Sequence, residues 1–297
     1  IVIAANSGGA WSPIGDVTTI MLWVRGNIST SATIPHLFLP SLVSALVPVL
    51  IISRYLHGKV TPPNAFEENR DNLLLKVLKA ILCIGVFCLL FVPVFKTITH
   101  LPPFMGILMG VGILWIFTEL MYRKTPINED LKLRLSKVVS RIDGATLMFF
   151  LGILLAVDAL RCSGVLGSFS LWLDDTIGNV YAVNLIIGTL SAIVDNVPLV
   201  AGAIGMYPVA SDAMVATAAD PAYIANFVQD GVFWQFLAYC AGVGGSMLII
   251  GSAAGVVVMG LEGINFIWYL KRISLLALAG YLSGAAVYIL QNVLLGI

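Results

Sequence analysis

The residue whose surroundings most suggest chemistry is Asp195, a carboxylate inside an otherwise apolar stretch. An ionisable side chain in such a stretch is costly and by default marks an ion or proton path. Pro198 lacks an N–H and disfavours helical geometry at the residue before it, so we expect the helix to break beside the carboxylate. Ser191, one helical turn earlier, and Asn196 add further oxygen atoms. Such oxygens suit a hard cation, an argument made for calcium and magnesium that we extend to sodium; the alternative is a helix-capping aspartate.

A second group of polar residues surrounds a Gly-rich break near the start of the chain. Asp16 directly follows Gly15, with Thr18 and Thr19 just after it and Asn6 before it. A carboxylate with neighbouring hydroxyl and amide groups offers the same kind of oxygen ligands as the first group. For the Ser and Thr residues alone, hydrogen bonding between membrane helices is an equally good interpretation.

The first break has a counterpart late in the chain. Gly8–Gly15 and Gly244–Gly251 share the pattern GGxxxxIG, and each is followed by small residues. The alignment places Ser252 opposite Asp16, and Ser246 lies inside the second break. Interrupted apolar segments at corresponding places in two inverted halves point to the binding site of a transporter.

The composition indicates that lipid surrounds most of the chain. Apolar residues make up 59% of the sequence and charged residues 11%, and the mean hydropathy is +0.97. A soluble domain needs far more polar surface. The four cysteines show no metal-binding spacing and are interpreted as small buried apolar side chains. The chain begins Ile-Val-Ile, without a Met or a leader pattern, and we expect it to lack an N-terminal part.

Membrane crossings require about 20 mostly apolar residues each. Five plain stretches meet this requirement, namely Ile34–Ser53, Val77–Ile98, Leu101–Tyr122, Gly144–Leu160 and Phe266–Gln291. Three more are apolar but broken by Gly, Pro or Asp, namely Ile1–Val24, Asn179–Ala210 and Gly231–Leu261. Gly106 and Gly110 form the four-residue spacing of small residues that is typical of close helix contacts.

Lys and Arg set the orientation of these crossings. Arg54–Lys79 holds five of them and Arg123–Arg141 holds six. If both segments are cytoplasmic, the plain spans alternate correctly only when Asn179–Ala210 enters and leaves on the outer side. The following segment, Ser211–Asp230, supports this because it carries three Asp and no Lys or Arg. Residues 231–261 then form one crossing that is interrupted in its middle.

We therefore predict an all-α membrane protein of two inverted repeats, the first of them incomplete. Residues 1–53 are the end of the first repeat, a broken helix and one span. Residues 54–76 are a cytoplasmic linker, and residues 77–297 are a complete second repeat. That repeat contains a re-entrant hairpin over 179–210, with its tip at Asp195, and a broken transmembrane helix over 231–261.

These motifs resemble those of the NhaD-type sodium/proton antiporters, within the ion transporter superfamily. The resemblance rests on Asn6–Thr19 and Ser191–Pro198, and it continues through Phe233–Cys240, Gly244–Ser246 and Ile250–Gly255. It implies inverted repeats whose hairpins and broken helices meet at a central ion site, and exchange of Na+ or Li+ for H+. Carried over by match, the candidate site is Asn6, Asp16, Thr18, Thr19, Ser191, Asp195, Asn196, Ser246 and Ser252. The family has an earlier Asp-Asn hairpin that these residues do not include.

The sequence thus predicts a multi-pass inner-membrane antiporter that works by alternating access and needs no cofactor. Asp195 and Asp16 would bind either Na+ or protons. The expected partners are these ions and the lipid bilayer, with no nucleic acid, and a homodimer is left open. One rival is another cargo on the same fold, such as arsenite or a dicarboxylate, although an organic-anion carrier should place helix N-termini and hydroxyls at its breaks. Another is an intramembrane aspartyl protease with these two carboxylates as its dyad.

Overall fold

The computed structural model describes residues 1–55, 72–124, 135–140, 142 and 144–295. Within these residues the chain forms helices and no β-strand, which confirms the prediction of an all-α membrane protein. The predicted linker over 54–76 and the basic loop that follows Arg123 lie largely outside the described residues.

The described helices are numbered in chain order. They are α1 (Val2–Ala10), α2 (Val17–Arg25), α3 (Thr30–Ser53), α4 (Asn72–Thr99), α5 (Pro103–Lys124), α6 (Leu135–Val139), α7 (Gly144–Cys162), α8 (Val165–Thr176), α9 (Val180–Leu190), α10 (Asn196–Met206), α11 (Asp212–Thr217), α12 (Pro221–Ile224), α13 (Val232–Gly244), α14 (Ala253–Glu262), α15 (Phe266–Arg272) and α16 (Ser274–Leu295). A short 3-10 helix, Ala225–Phe227, follows α12.

Helices long and apolar enough to cross a bilayer match the predicted plain spans in three cases. In the described part of the chain α3, α4, α5 and α16 pass this test, and the first three correspond to the expected crossings. The predicted span Phe266–Gln291 is instead divided, because α15 ends at the basic pair Lys271 and Arg272 and the crossing helix starts at Ser274. Basic side chains at a helix C-terminus complement its free carbonyl groups.

Two further pairs of helices are apolar but sharply bent. α7 and α8 meet at 73°, and α14 and α15 meet at 115°. Each bend contains a glycine with a positive φ, Gly164 at 79° and Gly263 at 61°. Glycine adopts this left-handed conformation without steric cost, so the helix can stop within one residue.

The described chain divides into two compact units, residues 1–57 with 149–297, and residues 58–148. In the second unit α4 packs against α5 through the predicted pair of small residues. A methyl group on Gly106 would lie 2.9 Å from the ring of Phe95, and one on Gly110 would lie 2.9 Å from Cβ of Cys88. The four-residue spacing of glycines therefore marks a close contact between two helices, as expected.

The first unit is built around α13, whose residues Phe233–Gly244 are all buried. This short helix is surrounded by α1, α2, α3, α9, α10 and α16. Glycines allow the close approach of these backbones. A methyl group on Gly188 of α9 would lie 2.7 Å from the carbonyl oxygen of Cys240. Between α16 and α3, one on Gly284 would lie 2.5 Å from the carbonyl oxygen of Pro40. At the centre of the unit the helices thus pack backbone against backbone at small residues, rather than through interlocking large side chains.

Candidate functional site: a carboxylate cavity between broken helices

Both predicted breaks are present, and each is closed by its own pair of glycines. The first separates α1 from α2, and the second separates α13 from α14. A methyl group on Gly9 would lie 2.8 Å from the carbonyl oxygen of Gly15, and one on Gly251 would lie 2.8 Å from that of Gly245. The second and last glycines of the GGxxxxIG pattern, six residues apart, are therefore in backbone contact at both breaks. At each break the chain folds back until two glycine backbones touch.

The residue that follows each break is the N-cap of the next helix and has an extended backbone in both places, although the capping hydrogen bonds differ. Asp16 is the N-cap of α2, where its backbone N–H donates to Oγ1 of Thr19 at 3.2 Å. Ser252 is the N-cap of α14, and its Oγ accepts a hydrogen bond from the N–H of Gly255 at 3.3 Å. Both side-chain types are favoured at this position because their oxygen satisfies free N–H groups of the first turn. The sequence alignment of these two residues thus corresponds to a shared local geometry.

The predicted helix break at Asp195 is also present. Helix α9 ends before Ser191, and Asp195 is the N-cap of α10, where its Oδ1 accepts from the N–H of Val197 at 3.4 Å. Pro198 lies in the first turn of α10, where its missing N–H would have no partner in the helix anyway. The capping role is therefore real, but the partly exposed carboxylate also faces a cavity.

Hydrogen bonds and close backbone contacts hold the segment between α9 and α10 against both breaks. The Asn196 side-chain amide donates to Oδ2 of Asp16 at 3.1 Å. On the other side, a methyl group on Gly251 would lie 2.6 Å from the carbonyl oxygen of Ala192. The two breaks are also joined directly, since the Asn6 amide donates to Oγ of Ser252 at 3.0 Å.

A cavity of about 170 Å³ lies where these three segments meet. Five of the predicted site residues line it, and they include both carboxylates. These five are Asn6, Asp16, Asp195, Asn196 and Ser252. The two amides donate hydrogen bonds through their nitrogen atoms, which leaves their oxygens available as ligands. Two carboxylates, two amides and a hydroxyl are a set of hard oxygen ligands that can hold a small cation or take up protons.

The other four predicted site residues are buried and do not line this cavity. Thr18 donates to Oδ2 of Asp16, and Thr19 donates to the backbone carbonyl of Asp16 at 2.9 Å. Ser191 donates to the carbonyl of Ala241 at 3.0 Å. These hydroxyls orient the carboxylate or fix the backbone around it.

The fourth of these residues, Ser246, lies inside the second break. Its Oγ donates to the carbonyl of Val243 at 2.5 Å, and its own carbonyl accepts from the Tyr269 hydroxyl at 2.9 Å. The side chain therefore closes the end of α13, and the backbone ties the break to α15. Neither contact reaches the cavity.

Phe150 of α7 lines the cavity and was not expected from the sequence. It lies in a plain apolar span, where an aromatic residue carries no signal that separates a cavity wall from a lipid contact. Among the described residues, His, Cys, Asp and Glu side chains do not gather in groups of three. The cavity therefore differs from the sites that hold transition metals, which are built from imidazole and thiolate ligands.

Asp230, one of the acids of the predicted outer loop, has a structural role. Its Oδ1 accepts from the N–H of Ser29 at 2.5 Å and from the amide of Gln235 at 3.1 Å. Its backbone N–H donates to the carbonyl of Asn27 at 2.9 Å. These bonds join the start of α3 to the start of α13, away from the residues that line the cavity.

Apolar spanning helices, together with discontinuous helices that enclose carboxylates, are typical of a membrane transporter. The comparisons agree with this class. Residues 1–228 match the model of the CitMHS family, described as citrate transporter. The chain belongs to this family, and its relatives show that it also belongs with the NhaD-type sodium/proton antiporters.

Several relatives match nearly the whole chain. Sodium/proton antiporter 1 of Arabidopsis thaliana is 46% identical over 97% of this chain and 47% of its own length. Sodium/proton antiporter 2 of the same plant is 45% identical over 97% of this chain and 65% of its length. The Na(+)/H(+) antiporter NhaD of Vibrio parahaemolyticus is 34% identical over 95% of this chain and 67% of its length. The chain thus spans about half to two thirds of these curated relatives.

The family and these relatives are transporters, which overturns the protease alternative and confirms that the protein is not an enzyme. Together with the apolar helices they support a multi-pass membrane protein. Because the relatives come from a plant as well as from bacteria, the bacterial inner membrane stays a prediction. The homodimer also stays a prediction.

Proposed function

We propose that this chain carries the ion-binding core of a secondary antiporter that exchanges Na+ or Li+ for H+. The observation that carries the proposal is that Asp16 and Asp195, 179 positions apart in sequence, line one small cavity with amide and hydroxyl groups. The names of the relatives, which are sodium/proton antiporters, support the same cargo. Lithium is included because it is a hard monovalent cation like sodium.

The two carboxylates are held differently, and this difference suggests separate roles. Asp16 Oδ2 accepts from the Thr18 hydroxyl and from the Asn196 amide, so its orientation is fixed by two donors. Asp195 accepts from backbone N–H groups, those of Asn196 and of Val197, the latter at a long 3.4 Å. Asp16 is therefore the pre-oriented ligand, whereas Asp195 is freer to exchange a proton for a cation. Because both cargoes bind the same carboxylates, occupancy by one excludes the other, and this competition couples the two fluxes.

Alternating access requires that the site change the side to which it opens. The shared glycine contacts and N-caps of the two breaks support a pair of related broken helices, as two inverted repeats would contain. In this scheme each repeat contributes one break, and the segment between α9 and α10 bridges them. Rocking of one repeat against the other would expose the cavity alternately, while the hydrogen bonds at Asn6 and Asn196 keep the ligands together.

The main alternative is a carrier of citrate or another organic anion, which the description of the family favours. The cavity argues against a free anion, because its charged side chains are both carboxylates. Two like charges about 4 Å apart repel by about 4 kcal/mol at the effective dielectric constant of a protein surface. An anion carrier would need cationic side chains or uncovered helix N-termini in this position, whereas Asp16 and Ser252 already cap theirs.

The test is the substitution Asp195→Asn, measured as sodium-dependent proton movement in everted membrane vesicles. The amide keeps the shape of the side chain but can neither take up a proton nor supply a negative charge, so we expect exchange to be abolished while the protein still inserts. Asp212→Asn is the matched control, because Asp212 is an exposed acid in the first turn of α11. Exchange at the original rate in Asp195→Asn would refute the proposal. Proton-coupled citrate uptake that does not respond to sodium would favour the alternative.

A further inference from the structure

A second, larger cavity of about 310 Å³ lies beside α2, α7 and α10, three of the helices that bring side chains to the carboxylate cavity. Its walls are mostly apolar, with Met21, Leu154 and Ala201 among them. Charged groups gather on it near the helix ends, where Arg161 and Asp158 form an ion pair at 2.7 Å.

On α2 and α10 the residues of the two cavities follow one another at helical spacing. On α2, Val17 lines the carboxylate cavity, and Met21, four residues later, lines the second. On α10, Val197 lines the first, and Ala201 and Gly205 line the second. Positions four apart lie on one face of a helix, about one turn or 5–6 Å from each other. The two cavities therefore succeed one another along one face of each helix.

Helix α7 shows the same order. Phe150 lines the carboxylate cavity, and Leu151, Leu154 and Asp158 line the second. In all three helices the carboxylate cavity lies toward the N-terminal end and the second cavity toward the C-terminal end. Three helices that share this order run in the same direction beside the two cavities.

We propose that the second cavity is the vestibule through which ions and protons reach Asp16 and Asp195, an inference that rests on the proposed antiport. Its one carboxylate, Asp158, is paired with Arg161 and the rest of its walls are mostly apolar, whereas the carboxylate cavity groups two carboxylates with amides and a hydroxyl. The charges of Arg25, Asp158 and Arg161 mark its mouth, since such side chains seek the water boundary of a membrane protein. The charge pattern of the sequence places the C-terminal ends of α2, α7 and α10 outside. The vestibule therefore opens to the outer face.

The experiment uses single cysteines in a form of the protein whose four native cysteines are replaced. Leu154→Cys and Ala201→Cys place a thiol in the vestibule. Their matched controls, Ala156→Cys and Gly202→Cys, lie on the same helices but line neither cavity. A charged, membrane-impermeant thiol reagent is added from outside, and the labelling rate is measured. We expect the vestibule thiols to react at least tenfold faster than their controls, because a thiol forms reactive thiolate only where water reaches it.

Equal labelling of vestibule and control positions would overturn the proposal, and so would labelling of the vestibule from the inner side alone. Labelling is read without transport, so its outcome is independent of the Asp195→Asn test. A failed labelling pattern together with loss of exchange in Asp195→Asn would reject the vestibule and leave the antiport standing. The expected labelling pattern in a protein whose Asp195→Asn form exchanges normally would keep the water path and reject Asp195 as the site of exchange.

Discussion

Replacing Gly251 with alanine tests whether the close glycine contacts of the breaks position the carboxylates. The added methyl group would lie 2.6 Å from the carbonyl oxygen of Ala192, and 2.8 Å from those of Gly245 and Ser191. Ordinary van der Waals contact begins at 3.4 Å. The oxygens would have to move by about 0.6 to 0.8 Å, and all three belong to backbone that cannot rotate away as a flexible side chain would.

The magnitude follows from this overlap. Forcing an extra methyl group into close-packed structure costs about 1–3 kcal/mol. Gly260→Ala is the matched control, because Gly260 lies in α14 and a methyl group there meets nothing within 4 Å. Alanine is favoured over glycine within a helix by up to about 1 kcal/mol, so the control should be neutral or slightly stabilising. In Gly251→Ala two of the displaced carbonyls, those of Ser191 and Ala192, lie shortly before Asp195 in the chain. The substitution should therefore weaken sodium binding as well as lower the stability of the fold.

Thermal unfolding in detergent and sodium-dependent proton movement in vesicles measure the two effects. At about 2–4 °C per kcal/mol, the unfolding midpoint of Gly251→Ala should fall by several degrees below that of Gly260→Ala. Sodium should also bind more weakly. The pair Gly15→Ala and Gly8→Ala repeats the comparison in the first break, since a methyl group on Gly8 has no neighbour within 4 Å. If Gly251→Ala matches its control in both measurements, the contact between the glycines does not position the site.

Two further predictions concern coupling and topology. If Na+ and H+ compete for Asp195 and Asp16, the apparent affinity for sodium should fall as the pH is lowered in the acidic range. The expected loss is about tenfold, or roughly 1.4 kcal/mol, for each pH unit and each coupled proton. Saturating sodium should then restore much of the rate. Protonation of a remote group, such as the histidine His36 in α3, would instead lower the maximal rate without changing sodium affinity. Rates measured against sodium at several pH values distinguish the two. For topology, a cysteine within Ser211–Asp230 should react with an impermeant reagent added outside, whereas one within Arg123–Asp143 should be protected in intact cells. Labelling of both from one side would refute the hairpin assignment.

The breaks could be predicted because their signals are local. A carboxylate inside an apolar run is costly wherever the chain folds, and Pro198 excludes a continuous helix through Val197 whatever packs around it. The GGxxxxIG pattern works in the same way, because six residues of chain suffice to bring its glycines together. These signals identified Asp16 and Asp195, the two carboxylates of the cavity.

The sequence did not tell which hydroxyls line the cavity, and for Ser191 the reason is a distant partner. Ser191 shares a helical face with Asp195, and this suggested a ligand, but its hydrogen bond goes to the carbonyl of Ala241, 50 positions away. Helical periodicity predicts the face on which a side chain lies, but it does not predict which backbone oxygen will accept its hydrogen bond. Phe150 was missed for the corresponding reason, since only the approach of another helix turns an apolar side chain into a cavity wall.

The end of the chain shows the limit of hydropathy alone. The apolar run from Phe266 to Gln291 reads as one crossing, yet the structure separates α15 from α16 and bends it away from α14. Gly263 and the pair Lys271 and Arg272 are the residues that mark these ends, and each is common enough in membrane proteins to be overlooked. Here a glycine and a basic pair mark the short helix that lies between the broken helix and the spanning helix.

The unequal contributions of the two breaks explain how binding and movement could be linked. At aligned positions the first break supplies a carboxylate, Asp16, and the second a hydroxyl, Ser252, so the negative charge comes from Asp16 and from Asp195 between α9 and α10. Without a cation or a proton these two carboxylates repel each other, and the Asn196 amide holds the Asp195 side of the cavity to Asp16. A bound cation or proton removes that repulsion. Under the proposed antiport, an occupied site favours the arrangement in which the three segments stay together and an empty, fully charged site disfavours it, so that occupancy shifts the balance between the two arrangements.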